Sequence, residues 1–411
     1  MKMKKRVLNA AIALMLLPFA GCSSEDENTQ NYPPPVAETP DVVTVDNVRS
    51  YMSDPNATDE TVALFYNLRN LSKTKYLVGQ QDAFNAFYNN AGSESDIKKA
   101  TGSDPGMLGS DFMFITDDNN NGQPNNWFFQ QEQIITADAE EAYNKGMVNI
   151  FCWHLREPYE GTTFYTEDMT DFQKQNAFAS ILPGGENHEY YKAKLDKIAA
   201  VVKEIKGANG ELVPIIFRPF HEFDGNWFWW GAAYSTPEQY KEAYRFTVEY
   251  LRDTKQVHNL LYAFSPDNSY STEAQYLGRY PGDDYVDVLG MDNYGDFANG
   301  SAAGTSTASN KLKMVSDIAK AKVKIAALTE TGFQVTSSNS PVNGFFSNHV
   351  YNAMTNGDVQ LAFVMFWANT QNAYYVPPAG QPNTQDFVDF ANKAESVLQD
   401  NIPEMYVLPN D

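Results

Sequence analysis

The segment 218–231, which reads RPFHEFDGNWFWWG, brings an acid, an imidazole and several indoles close together. Glu222 follows His221 directly. Three tryptophans come after the acid: Trp227, Trp229 and Trp230. A carboxyl group beside apolar rings is poorly solvated, so its pKa is expected to rise and it can donate a proton near neutral pH. Flat indole faces suit the apolar faces of a sugar ring, so the segment predicts a general acid in a sugar-binding cleft. An aromatic loop that merely packs on the core is the alternative.

A second candidate acid, Glu330, ends another apolar run. Hydrolysis of a glycosidic bond needs two carboxyl groups in different protonation states across that bond. Glu330 follows the mainly apolar run 323–328, and Gly332 comes shortly after, where it lets the backbone turn sharply. Glu222 and Glu330 together therefore predict paired carboxyl chemistry on a sugar substrate.

Both acids follow short apolar runs that are typical of buried strands, and such runs recur along the chain. The predicted strands are Tyr76–Gly79, Gly106–Phe112, Met147–Trp153, Leu212–Phe217, Leu260–Phe264, Val286–Met291, Val323–Leu328 and Leu361–Trp367. Helical patterns between them include Ala137–Lys145, Tyr190–Ile205, Pro237–Leu251 and Thr384–Leu398. Eight strands alternating with helices predict an α/β fold, a parallel (β/α)8 TIM barrel with its active site at the C-terminal ends of the strands. A doubly wound open sheet is the alternative, although the sequence lacks the Gly-rich motifs GxGxxG and GxxxxGK[ST].

All six tryptophans lie at or after the C-terminal end of a predicted strand. They are Trp127, Trp153, Trp227, Trp229, Trp230 and Trp367. Catalytic residues of such barrels come from the same strand ends and the loops that follow them. We therefore expect the indoles to line one mouth of the barrel.

The composition disfavours some classes of binding partner. The chain has 411 residues, with 30 Lys and Arg against 52 Asp and Glu, so it is strongly acidic. This balance argues against a nucleic-acid or anionic-membrane surface and fits a neutral ligand. Only two cysteines occur, Cys22 and Cys152, so no disulfide framework is expected. Cys152 lies in a strand-like run and is interpreted as a small buried hydrophobe.

The N-terminus has the pattern of a targeting segment. Basic residues precede an apolar stretch that ends at Ala20-Gly21-Cys22, which resembles a bacterial lipoprotein signal with acylation at Cys22. The acidic run Ser23–Glu27 resembles the tract that sends some lipoproteins of the Bacteroides group to the cell surface. We expect a signal peptide over 1–21, a flexible tether over 22–45 and one catalytic domain over 46–411. An ordinary signal peptide followed by a disordered leader is the alternative.

Several segments together resemble glycoside hydrolase family 26, whose members are chiefly endo-β-1,4-mannanases. The matching segments are Arg218–Glu222, Gly225–Gly231, Leu328–Phe333, Ser103–Gly106, Asp111–Phe112, Trp153–His154, Leu182–Gly185, Tyr280–Tyr294 and Trp367. The resemblance covers roughly residues 60–400. It implies a (β/α)8 barrel that hydrolyses β-mannan with retention of configuration and uses no cofactor. The expected protein is a monomer that binds no nucleic acid and meets the outer membrane only through its lipid anchor.

The resemblance also implies roles for individual residues. Glu222 would be the general acid/base and Glu330 the nucleophile, with the two carboxyl groups roughly 5–5.5 Å apart. Six further residues would contact the sugar or the acids: His154, Arg218, His221, Trp227, Tyr294 and Trp367. Trp227 would serve the leaving sugar, whereas His154 and Trp367 would shape the non-reducing side. Arg218 would hold Glu330 ionised through charge and hydrogen bonds.

Two positions depart from the pattern of the family, and one segment departs from the pattern of a calcium-binding loop. The family often has Arg after the last tryptophan, where this chain has Ala368, and Asn-Pro where it has Glu157-Pro158. Both positions would lie near the non-reducing-side subsites, so sugar binding there is expected to differ. The run 117–122 begins like a calcium loop, but Phe128 stands where the bidentate acid belongs, so no metal is expected.

Other activities remain open at this point. The same chemistry could release mannobiose from chain ends, or could act on a β-glucan or a β-1,3-xylan. A surface lipoprotein that only binds glycans would also use an aromatic platform, but binding alone requires neither Glu222 nor Glu330.

Overall fold

The computed structural model describes residues 43–409. The predicted signal peptide, Cys22 and almost all of the predicted tether lie outside the described residues, so these stay predictions. Among residues 43–409, no helix is both long enough and apolar enough to cross a membrane.

Eight parallel strands form a closed barrel. They are β1 Tyr76–Gln81, β2 Met107–Asp111, β3 Val148–Cys152, β4 Ile215–Arg218, β5 Leu260–Phe264, β6 Val288–Asp292, β7 Ile325–Thr331 and β8 Phe363–Phe366. Neighbouring strands pair in sequence order, and β1 also pairs with β8, which closes the sheet on itself. The predicted barrel is confirmed. The open-sheet alternative is wrong, because in an open sheet β1 and β8 would not pair with each other.

Each predicted run overlaps its strand because a barrel strand is covered on both faces, although β1, β4, β6 and β7 extend past the predicted ends. The interior is filled by side chains and the outer face lies under helices, so the strands consist of apolar residues with little alternation. Every residue of β5 and of β6 is buried.

Helices cover the outside of the barrel. They are α1 Asp59–Leu71, α2 Asp96–Thr101, α3 Met113–Thr116, α4 Trp127–Asn144, α5 Asp171–Ser180, α6 His188–Val202, α7 Pro237–Glu249, α8 Glu273–Tyr276, α9 Ala302–Lys322, α10 Tyr351–Thr355 and α11 Thr384–Ala391. Short π-helical turns follow α7 and precede α10, at Tyr250–Thr254 and Phe345–Val350. The start of α7 is capped: the Thr236 hydroxyl accepts from the Gln239 amide and Pro237 takes the first helical position.

Two predicted helix bounds lie far from the observed ones, whereas the other predicted bounds differ by at most three residues. α4 begins at Trp127, well before the predicted Ala137, because Asn126 caps it by accepting from the Phe129 amide at 3.0 Å. α11 ends at Ala391 instead of Leu398. The residues beyond it include a two-residue strand, Ser396–Val397, that pairs in parallel with the start of β1, so tertiary pairing overrides the helical pattern.

The loops that follow β7 and β8 are joined to each other. Two-residue strands at Val335–Thr336 and Ala373–Tyr374 pair antiparallel and form a separate small sheet. This sheet lies on the C-terminal side of the barrel strands, where the candidate acids are expected.

Candidate active site

A cavity of about 390 Å³ opens at the C-terminal ends of the barrel strands. Its lining includes six residues that the sequence singled out: His154, His221, Glu222, Tyr294, Glu330 and Trp367. Arg218 lies beneath it and Trp227 beside it, each bonded to one of the two acids. Residues that follow β3, β4, β6 and β8 thus meet Glu330 of β7 at one place.

Glu222 is held in a tight turn after β4. Both Phe220 and Glu222 have left-handed backbone angles, with φ of 51° and 52°, which is uncommon for residues other than glycine and concentrates at functional sites. The Glu222 amide donates to the Ser265 carbonyl at 2.9 Å and fixes the turn against the end of β5. The turn therefore projects the Glu222 carboxyl into the cavity.

The surroundings of Glu222 favour a protonated carboxyl. Burial, reinforced by the charges of Glu330, Asp292 and Asp267, raises its pKa well above the usual value. Trp227 lowers the pKa of Glu222, because its Nε1 donates to the Glu222 Oε2 at 2.6 Å. The net rise suits a group that donates a proton near neutral pH.

Glu330 sits near the end of β7 and receives two donors. Arg218 Nη2 donates to its Oε1, and the Tyr294 hydroxyl donates to its Oε2 at 2.9 Å. Burial first, then the charge of Glu330, raises the pKa of Tyr294 well above its usual value, so the phenol remains a donor. Pairing of β7 with its neighbours is irregular at this point, a feature that re-aims side chains next to active sites.

Asp292 completes the ion-pair network below the cavity, and the sequence analysis gave it no role. Arg218 Nη1 donates to Asp292 Oδ2 at 2.7 Å, and the Thr329 hydroxyl donates to its Oδ1 at 2.6 Å. Burial alone would lower the pKa of Arg218, but Asp292 and Glu330 raise it above its usual value. The guanidinium therefore remains charged and is oriented toward Glu330.

The two candidate acids face each other closely. One carboxylate oxygen from each of Glu222, Asp292 and Glu330 lies within 4.8 Å of the others. Glycosidases that form a covalent intermediate keep their two carboxyl groups about 5–5.5 Å apart, whereas those that position a water between them need about 6.5–9.5 Å. The observed spacing fits the class that forms a covalent intermediate.

Two histidines line the same cavity with their rings 4.7 Å apart. His154 Nδ1 is 2.6 Å from Asp111 Oδ2, which fixes its ring, and the ring of Trp367 lies 6.0 Å away. His221 is buried and its Nδ1 has no partner within residues 43–409. Burial, with the charges of Arg218 and His154, lowers the pKa of His221 well below its usual value, so it is neutral.

The expectation that all six indoles line the mouth is wrong. Trp153, Trp229 and Trp230 are fully buried, and their Nε1 atoms donate to Thr116, Leu155 and His221 inside the protein. Trp127 is exposed and packs on two phenylalanines outside the cavity lining. Only Trp227, 39% exposed beside Glu222, and Trp367 face the cleft. The others support it from below because indoles at strand ends also fill the space between loops.

Aromatic residues other than tryptophan form much of the wall, and the sequence analysis missed them. Tyr165, in the loop after β3, stacks on Phe228 with ring centroids 5.5 Å apart, and Phe228 stacks on Trp230 at 4.5 Å. Tyr375, in the loop after β8, also lines the cavity. The signal that could have found them is their position in loops after strands that carry site residues.

The departures from the family pattern have structural consequences outside the cavity lining. Glu157 is fully buried, and its carboxyl accepts from the amides of Tyr159 and Glu160 at 2.8 and 2.9 Å, so it organises its own loop. Neither Glu157 nor Ala368 lines the cavity. In the calcium-like run, Asp117 is buried and pairs with Arg156 at 2.6 Å.

Two groups within residues 43–409 bring three possible metal ligands together. In the first, Asp111 and His154 already bond each other, and burial raises the pKa of the Cys152 thiol well above its usual value, which disfavours a thiolate ligand. The second consists of Glu222, Asp292 and Glu330, where Arg218 already neutralises two of the three acids. The donor chemistry of both groups therefore fits a metal poorly.

Comparisons with known proteins agree with this geometry. The model of glycosyl hydrolase family 26 matches residues 53–372. A mannan endo-1,4-beta-mannosidase of Bifidobacterium adolescentis is 36% identical over 371 residues, which are 85% of this chain and 36% of that protein. One of Thermothelomyces thermophilus is 30% identical over 285 residues, covering 67% of this chain and 51% of that protein. The chain thus spans only about a third to a half of the length of these two relatives.

Solved structures show the same fold. GH26C from Muricauda sp. MAR_2010_75 superposes with a TM-score of 0.88 at 58% identity, covering 89% of this chain and 98% of that one. The GH26 beta-mannanase BoMan26A from Bacteroides ovatus gives 0.76 at 31% identity, covering 86% and 99%. The resemblance predicted from the sequence is confirmed: this chain belongs to glycosyl hydrolase family 26.

Proposed function

We propose that the chain is a retaining endo-β-1,4-mannanase that hydrolyses mannan, glucomannan or galactomannan. The observation that carries the proposal is the close approach of Glu222 and Glu330 in an aromatic-walled cavity, with oxygens within 4.8 Å. The two curated relatives described above are mannan endo-1,4-beta-mannosidases, which supports β-mannan as the substrate.

In the first step, Glu222 donates its proton to the oxygen of the departing sugar while Glu330 attacks the anomeric carbon. Its raised pKa keeps Glu222 protonated until then, and the donors Arg218 and Tyr294 keep the Glu330 oxygens oriented as an anion. The product is a glycosyl ester on Glu330. In the second step, the now ionised Glu222 takes a proton from water, and the hydroxide attacks the anomeric carbon and releases Glu330.

The remaining site residues bind the sugars. His154 and Trp367 form the non-reducing side of the cavity, and the neutral ring of His221 lines the cavity beside the attacked sugar. Trp227, exposed next to Glu222, offers its indole to the leaving sugar. Neutral donors and aromatic faces suit an uncharged polysaccharide.

Substitution of each acid tests these roles. Glu330→Ala is expected to reduce mannan hydrolysis to background, whereas Glu222→Ala should reduce it about 10²–10⁴-fold, as removal of a general acid does. Azide should restore turnover of an activated aryl mannoside to Glu222→Ala and give a β-mannosyl azide, because the small anion needs no general base. Wild-type activity in Glu330→Ala would refute the assignment. The matched control is Glu157→Gln, a buried acid outside the cavity lining.

A β-glucan is the second candidate substrate. An endoglucanase H of Acetivibrio thermocellus is 29% identical over 161 residues, which are 38% of this chain and 15% of that protein. Reducing-sugar release from mannan, glucomannan, β-glucan and β-1,3-xylan separates these substrates. Product sizes from mannohexaose distinguish internal cleavage from release of mannobiose at chain ends. Tight binding without any shortening of the polymer would favour the glycan-binding alternative.

We also propose that the protein is a monomer anchored in the bacterial outer membrane through acylated Cys22, with its catalytic domain on the cell surface. The support is the sequence pattern around Cys22, which lies outside the described residues. Labelled palmitate should be incorporated into the wild type and not into Cys22→Ala. Protease treatment of intact cells should remove a surface-exposed domain and spare a periplasmic one.

A further inference from the structure

The loop after β8 carries Trp367 at its start and Tyr375 near its middle, and both line the cavity. Tyr375 faces the site directly. Burial first, then the charges of Glu330 and Tyr165, raises the pKa of its phenol. Its ring also packs on the turn after Glu330, because a Cβ on Gly332 would lie 2.4 Å from the Tyr375 Cδ1. Tyr375 therefore forms the wall beside the candidate nucleophile.

One buried side chain fixes the backbone of Tyr375. Asn369 is 1% exposed, and its Oδ1 accepts from the amides of Tyr375 and Val376 at 2.8 and 3.0 Å. Its Nδ2 donates to the Val376 carbonyl at 2.7 Å and to Asp96 Oδ2 at 2.6 Å. All polar atoms of the Asn369 amide are thus used to close this loop on itself and to attach it to α2.

Asp96 continues the connection to the loop after β1. It is 1% exposed, accepts from the Tyr88 amide at 2.8 Å and pairs with Lys99 at 2.8 Å. The rings of Tyr88 and Tyr374 meet edge to face at 5.1 Å. The loops after β1 and β8 are consequently one packed unit, and Val335–Thr336 adds the loop after β7 to it.

We propose that Tyr375 is a substrate-contacting wall residue and that the Asn369–Asp96 latch is a positioning device that holds it in the cleft. The side chains of Asn369 and Asp96 do not line the cavity, so they act on the sugar only through the loop. The inference rests on the proposed function, and it predicts that disturbing this latch weakens use of substrate by the same amount as removing the Tyr375 side chain.

A double-mutant cycle tests this coupling. Asn369→Ala and Tyr375→Ala should each lower kcat/KM for mannohexaose about tenfold, the effect of losing roughly one good contact. The double variant should fall no further than either single variant, because both changes remove the same contact. Additive losses, or an unchanged kcat/KM in Asn369→Ala, would overturn the proposal.

Asn259 supplies the matched control. It is fully buried and donates to the carbonyls of Val202 and Val213 at 3.0 and 2.8 Å, but it precedes β5 at the opposite end of the barrel. Asn259→Ala should lower the melting temperature like Asn369→Ala and leave kcat/KM within about twofold of the wild type. A comparable loss of kcat/KM in Asn259→Ala would show that general destabilisation explains the effect.

A replacement variant and a replacement substrate cover the cases in which Asn369→Ala does not fold or mannohexaose is not cleaved. If Asn369→Ala does not fold, Asp96→Ala breaks the same latch from the other side and must show the same non-additivity with Tyr375→Ala. If the wild type does not cleave mannohexaose, mannan specificity fails, and the cycle is measured on the β-glycan oligosaccharide that the wild type cleaves fastest. A failure of the latch and a failure of the proposed substrate are therefore distinguishable.

Discussion

At the scale of single residues, the Glu222 carboxyl is the group whose protonation controls the proposed reaction. Acids on three different strands or loops face it: Glu330, Asp292 and Asp267. Trp227 is the donor that opposes them. Glycosylation needs Glu222 protonated, so activity is expected to fall as pH rises through its pKa, and the alkaline limb of the kcat/KM profile reports that pKa.

Asp267→Asn should shift this alkaline limb to lower pH. Burial first, then the charge of Asp224, raises the pKa of Asp267 to about 7, so Asp267 is ionised on the alkaline side, where it raises the pKa of Glu222. Removing that charge lowers the pKa of Glu222, because a nearby like charge disfavours the ionised carboxylate. Asp138→Asn is the control, since Asp138 is also partly buried but does not act on Glu222. An alkaline limb that does not shift in Asp267→Asn would contradict the effect of Asp267 on the pKa of Glu222.

Trp227→Phe should shift the same limb to higher pH. The indole Nε1 donates to Glu222 Oε2 and stabilises the ionised form, so its loss raises the pKa of Glu222. The value of kcat/KM should also fall, because the leaving sugar loses its platform. Trp127→Phe, which changes an exposed indole outside the cavity lining, should alter neither quantity. Shifts of the same sign in Asp267→Asn and Trp227→Phe would exclude this electrostatic description.

The sequence located most of the site residues because each follows an apolar strand in a recognisable segment. It did not locate Asp292 as the partner of Arg218. That contact joins β4 to β6 inside the barrel, so it exists only once the sheet is folded. Tyr165 and Tyr375 were missed because their position in loops after these strands does not show which aromatic residue of a loop folds back over the cavity.

At the scale of elements, the sequence predicted the strands more accurately than it predicted the ends of the helices. A strand buried on both faces is an uninterrupted apolar run, and each of the eight was found with small errors at its ends. α4 and α11 were misjudged because a cap at Asn126 and pairing of Ser396–Val397 with β1 decide their bounds. Loop geometry was the least predictable, although it supplies most of the cavity wall.

Gly332→Ala tests how tightly the turn after β7 is built. Gly332 has φ of 153°, a conformation that other residues rarely adopt, and its added Cβ would meet the Tyr375 ring. We expect unfolding free energy to fall by about 1–3 kcal/mol in denaturant titrations, together with a marked loss of kcat/KM. Gly210→Ala is matched, because Gly210 has φ of 87° with open space around it. It should lose stability only, and full activity in Gly332→Ala would show that the turn tolerates displacement of Tyr375.

At the scale of the whole molecule, the closed barrel accounts for the meeting of residues far apart in the sequence. Strand order follows chain order around the barrel, so β3, β4, β6, β7 and β8 all present their C-terminal ends to one cavity. The net charge of −22 disfavours binding of a polyanion, which agrees with the expectation of an uncharged polysaccharide as the substrate. The lipid anchor, the cell-surface location and the monomeric state stay predictions.

The most direct test of the paired-carboxyl mechanism is the anomeric configuration of the first product. Proton NMR of mannohexaose hydrolysis, recorded before mutarotation, resolves the two anomers of the new reducing end. Double displacement through Glu330 predicts that the β-anomer appears first. Initial formation of the α-anomer would contradict the account, because it requires a water between Glu222 and Glu330.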